Sequence, residues 1–238
     1  MTRELVYGRR PVREVLRAGK RQILELLATE RALAAESWLR EAQGLRVRVE
    51  REGRLTEAAG TREHQGVVAF CEPYRYADAH EVAVGERPLL VCLDQVTDPH
   101  NLGAVCRSAE GAGASGVVIV ERNAARVTPA VCKASAGAVE HLPVAVVVNL
   151  ARYLEEVKRP DLWVWAAAGD AETPVWSADF TGGTALVFGA EGRGLRPGVR
   201  RACDDAFAVP LAGEVESLNV SVAAGIALFE AARQRRAA

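Results

Sequence analysis

Three short polar stretches, each next to an apolar run, hold the residue types that could do chemistry. The first, DPHNLGAVCRSAEGAG from Asp98 to Gly113, sets Asn101 and Arg107 six residues apart. That is near two helical turns, so both look toward a loop-side ligand if the helix starts close to Asn101. A guanidinium suits bidentate grip on a phosphate. The same stretch also reads as a capped helix with an exposed arginine. The second, FGAEGRGLRP from Phe188 to Pro197, brackets Glu191 with Gly189, Gly192 and Gly194. Glycines after a buried strand let backbone amides approach a ligand closely, and a lone carboxylate among them is more than turn chemistry requires. The third, AGEVESLNV, places Ser217 and Asn219 two residues apart between a strand end at Phe207 to Pro210 and an apolar helix. Either residue also serves as a helix N-cap.

Other patterns exclude chemistries. GAGASG, Gly111 to Gly116, fits G-x-G-x-x-G, but it follows a helical stretch and precedes a strand, the reverse of a dinucleotide fingerprint. Its glycines end a helix and turn the chain. No Walker sequence occurs. The five cysteines, Cys71, Cys92, Cys106, Cys132 and Cys203, form no CxxC and no Cys/His pair at zinc spacing, so reduced core thiols and no metal are expected. No apolar run approaches a membrane span, and MTRELVYGRRPVREV lacks a signal-peptide core, so a cytoplasmic chain without membrane attachment is expected. The net charge of −1 conceals an asymmetry: residues 1–70 carry 14 Lys/Arg against 10 Asp/Glu, and the remainder 16 against 21. Local positive charge suits a polyanion-binding module, although a solvated surface has the same composition.

The elements that must position these residues fall into two α/β blocks. In the first, Pro11 to Gly19 reads as a helix, Gln22 to Leu27 as a strand and Leu33 to Ala42 as a helix ended by Gly44. Arg46 to Glu50, a short helix over Leu55 to Ala59 and Gly66 to Phe70 complete a small domain. Residues 72–88, bounded by prolines and poor in aliphatic periodicity, read as a linker between domains 1–71 and 89–238. The second block has apolar strands at Leu89 to Leu93, Gly116 to Val120, Pro143 to Val148, Leu162 to Ala168 and Thr184 to Phe188. Helices between them, over Pro129 to Ala138 and Leu150 to Lys158 among others, imply a parallel sheet covered on both faces. Ligands of such sheets sit beyond the carboxyl ends of the strands, where the three polar loops lie.

In this order the three loops resemble the motifs of the SpoU (TrmH-like) family of the SPOUT superfamily, RNA ribose 2′-O-methyltransferases that use S-adenosylmethionine. The matching residues are Asn101, Arg107, Ser108 and Gly113, then Gly189, Glu191, Gly192 and Gly194, then Pro210, Ser217, Leu218, Asn219 and Val220. YGRRPVREVL, EHQGVVA and KASAGAVEHLPV resemble segments of the bacterial members that modify a guanosine of 23S ribosomal RNA. The resemblance implies an RNA-binding first domain similar to ribosomal protein L30 and L7Ae folds. It implies a second domain closed by a C-terminal deep trefoil knot, and a homodimer in which the last helix takes part. It also implies a catalytic set of Arg107, Asn101, Glu191, Ser217 and Asn219. Cofactor contacts would come from Gly189, Val209 and Leu218, with Leu211, Ala168 and Gly169 nearby. Arg107 matches the family's proposed general base, while a phosphate-gripping role fits a guanidinium better.

Two rival readings share the fold. One is an antibiotic-resistance methyltransferase acting on a ribosomal adenosine. The other is a non-catalytic RNA-binding assembly factor, which could have lost Asn101, Arg107, Glu191 or Asn219; this chain keeps all four. Fold alone does not separate targets.

Overall fold

The computed structural model describes residues 2–42 and 45–237. The chain divides into two compact units, Met1–Arg75 with Val127–His141, and Tyr76–Arg126 with Leu142–Ala238.

The first unit carries β1 (Glu4–Tyr7), α1 (Arg9–Ala18), β2 (Ile23–Ala28), α2 (Glu30–Ala35), α3 (Ser37–Glu41), β3 (Val47–Val49), α4 (Glu52–Ala59) and β4 (Val67–Cys71). Its sheet has the order β1-β4-β2-β3, antiparallel except for the β2/β3 pair. Gly19 stops α1 in the left-handed conformation expected of a glycine C-cap. The single helix expected over Leu33 to Ala42 is instead two short ones. The Thr29 side chain caps α2 three residues earlier than the apolar pattern suggests, and Glu36 is extended between α2 and α3. The expected stop at Gly44 lies outside the described residues. Tyr7, Leu27, Leu55 and Val68 make a small core beneath α4.

The second unit carries β5 (Leu89–Asp94), α5 (Pro99–Gly111) and β6 (Gly116–Val120). The chain then contributes α6 (Pro129–Ala134) to the first unit and returns for β7 (Val144–Val147) and α7 (Leu150–Val157). Next come β8 (Leu162–Ala167), β9 (Thr173–Pro174), β10 (Gly183–Gly189), α8 (Pro197–Arg201), β11 (Asp205–Ala208) and α9 (Val220–Ala237). All seven strands are parallel, in the order β7-β6-β5-β10-β8-β11-β9. Leu90, Cys92, Val118, Ala185 and Val187 face α7 and α8 across one core, which Val82 and Ala83 of the segment expected as a linker also enter. Helices α5 and α9 pack on each other, and α9 also meets β10. A sheet buried on both faces accounts for the unbroken apolar strands.

Within the first unit, the excursion Val127–His141 is fastened by polar contacts. Arg21 and Glu140, both almost fully buried, pair through Nε to Oε2 at 3.0 Å and through a second, shorter contact. His141 meets Glu14 at 2.8 Å, and Lys133 Nζ donates to the Glu63 carbonyl at 2.9 Å. Gly137 has φ +90°, and a Cβ there would come within 2.6 Å of Glu14 Cβ. A side chain at this turn would both strain the backbone and push the excursion off α1.

Candidate active site

The site is built at the carboxyl ends of four neighbouring parallel strands of the second unit, in the order β5, β10, β8 and β11. From β5 the chain passes Asp94, turns, and enters α5. Asp98 caps that helix, its carboxylate accepting from the His100 N–H at 2.8 Å, and Pro99 occupies the first turn. Asn101 was the expected helix start. It lies inside the first turn instead, so its amide is not spent on capping and is free for side-chain contacts.

From β10 the chain leaves Gly189 and makes a tight loop. Gly194 N–H donates to the Ala190 carbonyl at 2.9 Å, folding the chain back on itself. A Cβ on Gly189 would lie 2.1 Å from the Gly194 carbonyl carbon, so only glycine admits this return. Gly192 and Gly194 adopt φ of +73° and +63° on either side of Arg193. Glu191 stands exposed at the tip.

From β11 an open loop runs to α9, which Asn219 caps. Its Oδ1 accepts from the Ser221 N–H at 2.8 Å and from the Ser221 hydroxyl at 2.6 Å. Its Nδ2 donates to Glu191 Oε1 at 2.8 Å and to Asn101 Oδ1 at 2.9 Å, while Asn101 Nδ2 donates to the same Glu191 oxygen at 3.0 Å. Three residues from three loops thus form a closed triangle. Its polarity is forced: a carboxylate only accepts, so both amides must turn their nitrogens toward Glu191. Asn101 is buried, whereas Glu191 and Asn219 are open to solvent.

Arg107 lies on α5 six residues beyond Asn101 and is exposed. Among the described residues its guanidinium has no hydrogen-bond or ion-pair partner, so its donors face solvent. Ser217 is exposed and stays outside the triangle. Of the residues expected at a cofactor site, Gly189 ends β10, Ala168 and Gly169 follow β8, and Val209 follows β11. Gly169 approaches the third loop, its virtual Cβ 4.0 Å from the Glu216 carbonyl oxygen. Leu218 is half-buried and Leu211 is 42 % exposed. From Val209 to Leu218 no backbone hydrogen bond is made among the described residues, so a run of N–H and C=O groups beside apolar side chains is open to a ligand.

A contact that the motifs did not predict underlies the second loop. Asp94, 1 % exposed, accepts from the Arg196 backbone N–H at 2.9 Å and from its Nε at 2.8 Å, and pairs with Nη2 at 2.7 Å. The available signal was a carboxylate ending a fully apolar strand, LLVCLD. Among the described residues no group of three or more His, Cys, Asp or Glu side chains is arranged to hold a metal ion.

Comparison with known proteins bears on the family. The profile described as the SpoU rRNA Methylase family matches residues 88–229, and that described as RNA 2'-O ribose methyltransferase substrate binding matches residues 5–77. The chain is 44 % identical over 239 residues to the 23S rRNA (guanosine-2'-O-)-methyltransferase RlmB of Ralstonia nicotianae, covering 98 % of this chain and 96 % of that one. It is 38 % identical over 244 residues to RlmB of Photobacterium profundum, covering 99 % and 100 %. The crystal structure of the SpoU methyltransferase AviRb from Streptomyces viridochromogenes in complex with AdoMet superposes with a TM-score of 0.83 at 27 % identity, covering 98 % of this chain and 91 % of that one. With the three motif loops meeting at one sheet edge and both family profiles spanning nearly its whole length, the chain belongs to the SpoU rRNA methylase family.

Proposed function

We propose that the protein is an S-adenosylmethionine-dependent RNA ribose 2′-O-methyltransferase whose substrate is a guanosine of 23S ribosomal RNA. The observation that carries the reading is the Asn101–Glu191–Asn219 triangle, at strand ends with open backbone groups. The named function of the relatives at 38 % and 44 % identity supports the ribosomal guanosine as target.

S-adenosylmethionine supplies an electrophilic methyl group on sulfur. Residues Gly189, Val209 and Leu218, with Leu211, Ala168 and Gly169, would hold it at the ends of β8, β10 and β11. Arg107 grips a phosphate of the target nucleotide in its planar fork and so orients the ribose hydroxyl. The phosphate oxygens then lie near the departing proton. Glu191 keeps one oxygen in the triangle, and its other oxygen has no partner among the described residues. In this reading that free oxygen would position Arg107 or the RNA. Ser217, on the same loop as Asn219, reaches the substrate from the open side. Alignment of the hydroxyl and the methyl donor is the main contribution expected of such a site.

The first unit supplies RNA affinity, as its matched substrate-binding profile and its excess of Lys/Arg over residues 1–70 suggest. A C-terminal segment threaded into a trefoil knot is part of this reading, with α9 packed on α5 and β10. Val222 and Phe229, 49 % and 54 % exposed on α9, support a homodimer through that helix. A cytoplasmic location follows from the ribosomal substrate. Mapping 2′-O-methylation in ribosomal and transfer RNA of a deletion strain tests the activity: loss at one 23S guanosine is expected, and loss confined to transfer RNA would overturn the target.

A further inference from the structure

Asp94 and Arg196 lie outside the residues given a role above, yet their contacts fix the geometry of the second loop. Asp94 is the last residue of β5 and sits in register with Gly189, the last residue of β10. One end of the Glu191 loop therefore starts beside Asp94. The other end returns to it, because the Arg196 backbone N–H and guanidinium both bind its carboxylate. Inside this mouth the Ala190–Gly194 hydrogen bond and the close pass of Gly194 over Gly189 leave the loop little slack.

Asp94 also stands where the chain departs from β5 toward α5. Seven residues on, Asn101 meets Glu191. The same carboxylate therefore anchors the two chain segments that bear Asn101 and Glu191. Its own side chain is 1 % exposed, while that of Arg196 is 44 % exposed. A buried carboxylate without its cation would be strongly unfavourable, so the pair is held closed even though one partner reaches solvent.

We propose that Asp94 and Arg196 form a clasp that positions Glu191 for the methyl-transfer reaction, acting through the loop 190–195 without touching substrate. The proposal rests on the methyltransferase reading above. It differs from a merely stabilising ion pair in one respect: its effect on turnover must pass through Glu191.

The test uses the full-length protein with S-adenosylmethionine at saturation and a 23S rRNA fragment as substrate. Asp94→Asn should lower kcat by about tenfold or more, with a smaller change in KM for RNA. Deuterium uptake in the peptide spanning 189–196 should accelerate, with uptake in β5 and β6 unchanged. In a Glu191→Gln background, adding Asp94→Asn should cost almost nothing further in kcat, because both changes remove the same contribution. Arg196→Gln, on a half-exposed side chain, should reproduce these effects if Asp94→Asn folds poorly. Wild-type exchange in 189–196, or losses that multiply with Glu191→Gln, would overturn the clasp. Should the wild-type protein methylate no RNA, the activity assignment falls, and the exchange measurement alone decides whether the clasp holds the loop.

Discussion

Asn219 and Glu191 are joined at 2.8 Å through an amide that simultaneously caps α9, so one side chain serves helix and site with opposite ends. The two tasks separate by substitution. Serine also caps helices well but has no amide to give to Glu191 or Asn101. Asn219→Ser should therefore keep the thermal midpoint close to wild type and lower single-turnover methylation on the order of 10²-fold, the scale of losing one preorganised donor. Parallel loss of both properties would mean that Asn219 is a cap and nothing more.

Arg107 is exposed and unpaired among the described residues, so its removal should leave the fold intact. Arg107→Ala should reduce methylation on the order of 10² to 10⁴-fold while calorimetric binding of S-adenosylmethionine is preserved. Arg107→Lys should recover only part of the rate, since an ammonium lacks the planar fork. Near-normal turnover in the alanine variant would remove Arg107 from the mechanism.

The buried pair of Arg21 and Glu140 should be costly to break from one side. Glu140→Ala should destabilise the protein by about 3 kcal/mol in urea unfolding, the low end for breaking a buried pair, because the inner guanidinium keeps only its longer contact to Glu4 at 3.3 Å. Replacing both residues by leucine should cost less than either single change. A single substitution worth under about 1 kcal/mol would show that the pair behaves like an exposed salt bridge.

Thiols give a pH dependence of known sign. Burial pushes Cys71, Cys132 and Cys203 up from 9.0 to about 12; nearby Glu140 adds to the shift at Cys71 and Cys132, and the Arg21 cation opposes it there. Below pH 9 the folded and unfolded chains both keep these protons. Between 9 and about 12 the unfolded chain releases protons that the folded chain retains, so stability is lost as pH rises through that window. Unfolding midpoints measured from pH 8 to 11 should fall, and Cys71→Ala should flatten the slope. Thiol reagents at pH 8 should label the native protein slowly and the urea-unfolded protein quickly.

Gly189→Ala offers a check on the loop itself. With its Cβ 2.1 Å from the Gly194 carbonyl carbon, the loop backbone must move. Turnover should fall together with protection of the 189–196 amides. Wild-type kinetics would show that the loop is more accommodating than its geometry implies.

How much of this was legible in advance follows from the range of each interaction. Local and periodic signals carried well: β6 runs Gly116–Val120 as expected, α1 stops at Gly19, and GAGASG joins α5 to β6 and opens no helix. The motif loops were likewise legible, because each combines a strand end, glycines or a cap with one side chain capable of chemistry. Short elements were not. β1 is four residues long and β9 only two; pairing partners far along the chain define both. Thr29 caps α2 early, and Glu36 is extended with its carboxylate held by Trp38 Nε1 at 2.8 Å and Arg9 Nη1 at 3.2 Å, where the apolar pattern ran straight through.

By itself, then, the sequence determined the α/β class, the apolar parallel strands, the family and the identities of Asn101, Arg107, Glu191 and Asn219, since all of these depend on residue type and short spacing. Tertiary structure alone decided which of them meet. It placed Asn101 and Asn219 on one Glu191 oxygen across separations of 90 and 28 residues, and left Ser217 outside. It gave Val127–His141 to the first unit through Arg21 and Glu140, 119 residues apart, and closed the Glu191 loop on Asp94 across 102 residues. Such contacts are set by how strands order themselves in a sheet, and no local pattern of side chains encodes that order.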